Sequence, residues 1–137
     1  MKCYLNVKLI IFMVLLSIPN AVKADIQRPP VYEQLIINLL QPAIHEKMNE
    51  YYGEELISQV HLYNYEMSIF EMKAEAYEPP TVTLKFTPMI GAHNPVADYE
   101  VIFSIGNVGE IELLSFKQLN VYPETLSRFH LTLPEIE

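Results

Sequence analysis

Four histidines, His45, His61, His93 and His130, are the side chains of this sequence best suited to hold a metal, and no two are spaced to share one face. His45-Glu46-Lys47-Met48-Asn49 imitates the opening of a zinc-protease helix, but that chemistry needs a second imidazole at the fifth position, where Asn49 stands. No metal and no cofactor is therefore expected. Nucleophilic catalysis has only serines to draw on, Ser58, Ser68, Ser104, Ser115 and Ser127, because the one cysteine, Cys3, lies in the leader. None of these serines sits in a Gly-x-Ser-x-Gly turn, and four glycines in the whole chain leave no phosphate-cradling loop. Acyl and phosphoryl transfer are not expected. Carboxylates are abundant, so composition allows a glycosidase-type pair, although most fall at polar positions of amphipathic segments, where solvated surface is their ordinary role.

Two stretches concentrate unusual residue types. Tyr51-Tyr52-Gly53 places two large flat rings with polar tips at the end of a helical pattern, suited to a binding ledge or to capping a core. In Gly91-Ala92-His93-Asn94-Pro95, Gly91 and Asn94 tolerate backbone conformations that other residues avoid, and Asn94-Pro95 favours a turn. Tyr51, Tyr52, His93 and Asn94 are the candidate binding residues. The competing reading is architectural, with Gly91 at positive φ and the His93 ring donating a hydrogen bond across the turn.

These residues need elements to position them. Leu35, Ile36, Leu39, Leu40, Ala43, Ile44 and Met48 recur at three- and four-residue steps, which predicts an amphipathic helix over about Tyr32 to Tyr52. Pro42 is expected to kink it and Gly53 to end it. From Val60 the period becomes two. Tyr63 to Ile69, Val82 to Phe86, Tyr99 to Ile105 and Glu110 to Leu119 read as strands, separated by turns at Glu78-Pro79-Pro80, Gly91 to Pro95 and Gly106 to Gly109. The apolar phase slips between Leu113 and Leu114, the mark of a bulge or of an edge covered on both faces. A four-stranded antiparallel meander needs a layer on its apolar face, and the helix supplies it. The expected fold is α+β, a two-layer sandwich of cystatin-like or nuclear-transport-factor-like type. Residues 121–137 form a tail in which Phe129 to Leu133 is expected either to add an edge strand or to stay loose.

The first 24 residues have the layout of a secretory signal peptide: Lys2 and Lys8, an apolar run from Leu9 to Ile18, and small residues Val22 and Ala24 before the expected cut. The run is about half the roughly 20 residues a spanning helix needs, so no stable membrane insertion is expected after cleavage. Residues 25–120 then read as one domain. Without the leader, 17 acidic residues face six basic ones, a net charge of −11, which repels nucleic-acid phosphates; nucleic acid is not an expected partner. A mature chain without cysteine relies on its core alone, a bacterial rather than an animal habit for an exported domain.

The helix ending Tyr51-Tyr52-Gly53-Glu54, the stretch Pro88-Met89-Ile90-Gly91-Ala92-His93-Asn94 and the strand Ile111-Glu112-Leu113-Leu114-Ser115-Phe116-Lys117 together resemble domain of unknown function 3888, found in small exported proteins of spore-forming Gram-positive bacteria. The resemblance runs from about Val31 to Leu119 and includes Pro42 within the helix. It implies a bacterial exported domain and transfers no catalytic residues. The expected function is a non-enzymatic module binding an envelope or extracellular protein or ligand. The alternative is a small secreted hydrolase using carboxylates that the sequence does not single out. A binding module should expose a contiguous aromatic patch drawn from Tyr51, Tyr52, Tyr63, Tyr65 and Tyr77. A hydrolase should show a pocket with two carboxylates or a perturbed histidine. A purely structural envelope protein should show neither.

Overall fold

The computed structural model describes residues 31–135. The stretch expected to be a signal peptide, with its expected cleavage site after Ala24, lies outside the described residues. Helix α1, Val31–Ile57, buries Ile37, Leu40, Ile44, Met48, Tyr52 and Leu56, one stripe at three- and four-residue steps. Leu35 and Leu39, expected on that stripe, point the other way and are 63% and 54% exposed. The first turns are apolar on both sides, and the buried side is the one the stripe continues through Met48 to Leu56. Pro42 lies inside the helix, and the departure from helical dihedrals comes instead at Gly53 (φ 71°, ψ 171°). That conformation is nearly confined to glycine. Gly53 ends the regular helix with the positive φ expected of it, and further helical turns resume after it to Ile57 and set Leu56 into the core.

Seven strands follow: β1 Val60–His61, β2 Met67–Lys73, β3 Thr81–Phe86, β4 Met89–Ile90, β5 Asn94–Pro95, β6 Ala97–Ile105 and β7 Ile111–Val121. The four long ones form an antiparallel sheet in the order β2-β3-β6-β7, the expected meander, with α1 packed on one face. The three short ones make a second antiparallel sheet, β1-β4-β5, too brief to leave a periodic signal. The first expected strand begins late. Tyr63 to Glu66 is not extended in the ladder; Asn64–Glu66 is a 3₁₀ turn, and pairing starts at Met67.

The phase slip in β7 is a bulge. Ile102 pairs with Ser115 and Phe103 with Leu113, so Leu114 is extra; a second bulge leaves Leu119 extra between the pairs Asp98–Asn120 and Tyr99–Gln118. The two cancel. Leu113, Phe116, Gln118 and Val121 all stand opposite core residues of β6, while Leu114 and Leu119 are exposed. Strand β2 has the same device: Phe70 is extra between Ile69 and Glu71, and its exposed ring receives the Lys85 ammonium 3.7 Å from its centre.

The tail corrects the sequence reading. Pro123–Phe129 forms a helix, α2, with Pro123 in its first turn and His130 in the left-handed conformation at its end. Leu131 N–H returns to Leu126 O at 2.9 Å, and Leu126, Phe129, Leu131 and Leu133 pack on the core without forming a strand.

Candidate functional site

The turn between β1 and β2 carries Tyr63 and Tyr65, whose rings stack 5.0 Å apart at 15°. Extended backbone at Tyr63, followed by the 3₁₀ turn, brings residues two apart onto one side, as a helix would not. Tyr65 is 68% exposed, so the stack supports a surface rather than the core. His61 extends the row, its ring 6.0 Å from Tyr63. Between the rings, Asn64 reaches across to the helix, where its Nδ2 donates to Asn38 Oδ1 at 2.9 Å. This bond closes one side of a groove of about 550 Å³ lined by Gln34, Ile37, Asn38, Asn64, Tyr65 and Met67. Buried Ile37 and Met67 supply apolar wall, and the remaining lining residues are carboxamides and a phenol. Pro42, one helical turn on from Asn38, has no N–H to give the Asn38 carbonyl.

The four sequence-predicted site residues are not brought together. Tyr52 is buried, its hydroxyl 2.8 Å from that of Tyr99, and burial pushes both phenols well above the ordinary tyrosine range. Tyr51 packs against Phe116 with centroids 5.4 Å apart, and its hydroxyl lies 2.5 Å from Pro134 O and 3.1 Å from Gln118 Oε1; its single proton goes to the closer acceptor. Tyr51 therefore ties the tail to the core, and Tyr52 ties the helix to β6. His93 is exposed on the β4–β5 turn, while Asn94 Nδ2 donates to Ile90 O at 2.9 Å. Gly91 has φ 61°, the positive value expected. Tyr63 reaches from the groove's surroundings toward this turn, its hydroxyl 3.5 Å from Gly91 O.

Of the five tyrosines expected to form a patch, Tyr63 and Tyr65 do so, and Tyr77 stands alone, fully exposed with φ 72° between β2 and β3. Sequence reasoning missed Gln34, Asn38 and Asn64. Gln34 and Asn38, four apart, were legible as one polar flank of the helix; the turn that brings Asn64 to them was not.

Among the described residues no group of three or more histidines, cysteines or carboxylates could hold a metal ion, and no helix is long and apolar enough to cross a membrane. A second hollow, of about 520 Å³, lies under the tail and is lined in part by Glu50 and Glu135, with Lys47 Nζ 3.3 Å from Glu50 Oε2. No curated protein and no solved structure matches the chain. The family model described as "Protein of unknown function (DUF3888)" matches residues 32–120, from the start of α1 nearly to the end of β7, and the chain belongs to that family.

Proposed function

We propose that the protein is a non-enzymatic binding module, exported through a cleaved signal peptide and acting at or outside the envelope of a Gram-positive bacterium. The observation that carries the reading is the stack of exposed Tyr65 on half-buried Tyr63 beside a groove. Two aromatic rings held in register at the surface add nothing to the core, and solvent-facing aromatic area of this kind is characteristic of recognition surfaces. The leader, whose small residues Val22 and Ala24 follow an apolar run of signal-peptide length, supports export. A mature chain without cysteine suits a bacterial exterior.

The test is retention of envelope and culture components by the immobilised mature domain, run beside Tyr65→Ala. Loss of the retained component in the variant, with an unchanged thermal midpoint, supports the reading; equal retention by both, or none by either, counts against it. The hydrolase reading has one observation in its favour, the shared hollow of Glu50 and Glu135. It predicts turnover that Glu50→Gln abolishes.

A further inference from the structure

We propose that the groove between α1 and the β1–β2 turn binds a neutral saccharide chain, with Tyr65 as the platform for a sugar ring. This rests on the binding reading above and names its ligand class. The lining contains no acid or base beyond the Tyr65 phenol, in a chain whose 17 acidic residues would repel a polyanion. What the lining offers instead is three carboxamides, Gln34, Asn38 and Asn64, each presenting both donor and acceptor. Sugar hydroxyls are also both, so an array of amides matches them where a carboxylate, an acceptor only, would match half.

The Asn64–Asn38 bond uses one N–H of Asn64 and one lone pair of Asn38, leaving the Asn38 amide donors and the Asn64 oxygen for a ligand. One face of the Tyr65 ring is backed by Tyr63, which fixes its orientation, and the 68% exposure leaves its other side to solvent. A pyranose has the complementary form, an apolar C–H face bounded by hydroxyls, and an aromatic ring with a polar edge is suited to receive it. The groove's 550 Å³ lies within the roughly 300–1,000 Å³ of small-molecule sites.

The experiment is titration of the mature domain with soluble oligomers of N-acetylglucosamine and, separately, of glucose, followed by NMR at the side-chain amides of Asn38 and Asn64 and at the Tyr65 ring. Saturable shifts at these groups are expected with at least one oligomer. Tyr65→Ala should weaken affinity about tenfold or more without moving the thermal midpoint. Absence of saturable shifts with both oligomers at millimolar concentration overturns the proposal. If the domain then retains a protein from the envelope fraction in a Tyr65-dependent way, the groove is a protein-binding site, and the general binding reading survives the loss of this one. If it retains nothing, both fall.

Discussion

Tyr52 takes the second of the two roles open to the paired tyrosines, capping the core, and Tyr99 stands on the buried face of its strand. Tyr52 entered as a binding candidate because paired tyrosines can form a ledge, but its hydroxyl is spent on Tyr99 inside the core. Tyr52→Phe leaves the Tyr99 hydroxyl buried without that partner and should cost about 1–3 kcal/mol; Tyr52→Phe with Tyr99→Phe should cost less than the two single losses summed, as urea midpoints would reveal. The same pair sets an alkaline limit. Both phenols are raised in the folded state, so their contribution is present in full below about pH 10, the unfolded value, and is lost as pH climbs above it. Denaturant midpoints should be level from neutrality to about pH 10 and fall beyond, by up to about 1.4 kcal/mol per phenol for each pH unit. At the β4–β5 turn, Gly91→Ala should cost about 1–2 kcal/mol from conformation alone, since an added Cβ would meet only Asn94 Nδ2, at 3.9 Å. Asn94→Ala should cost about 1 kcal/mol with its bond to Ile90 O, and exposed His93→Ala less than about 0.5 kcal/mol. Positive φ at Gly91 was legible because glycine announces it. The exposure of His93 was not, because a histidine's type carries no record of which way its turn faces.

Elements with a sustained period were legible, and those without one were not. The helix stripe through Ile44 and Met48 and the alternation in β3 and β6 appear where the residues said, since burial of one face repeats a type every 3.6 or 2 positions. Two-residue strands repeat nothing. A 3₁₀ turn such as Asn64–Glu66 is too short to show a period, and Tyr63 and Tyr65, two apart, imitate a strand there. The tail, beyond the family match, gave two prolines and an apolar cluster, which fit a strand or a capped helix alike; Pro123 in the first helical turn decides for the helix. Its hold on the domain can be measured. Truncation after His130 removes half-buried Leu131 and Leu133 together with the Pro134 carbonyl that Tyr51 uses, and should cost about 2 kcal/mol, roughly 10 °C in the thermal midpoint. Quenching of tyrosine fluorescence by iodide should rise at the same time.

For the molecule as a whole, α1 and α2 shield one face of the sheet, while the other face carries half-buried Lys85 and Glu100 beside buried Thr83 and Ser104. Chelator should leave the thermal midpoint unchanged, because the described residues offer no ligand set; a fall reversed by one stoichiometric ion would contradict this. The sheet's two borders remain, β2 on one side and β7 on the other, and an exposed border is a template on which another copy can pair. Every bulge in the sheet lies on one of them: Phe70 in β2, Leu114 and Leu119 in β7. Each interrupts the row of N–H and C=O groups that a neighbour would need in step, so the irregularities that preserve the inner face also guard the protein against stacking into fibrils. Deleting Leu114 and Leu119 together keeps every remaining β7 side chain on its present face while straightening that border. The shortened protein should fold, with a far-ultraviolet spectrum like the parent's, and scatter light on concentration where the parent stays clear; a variant that also stays clear would assign the protection to net charge instead.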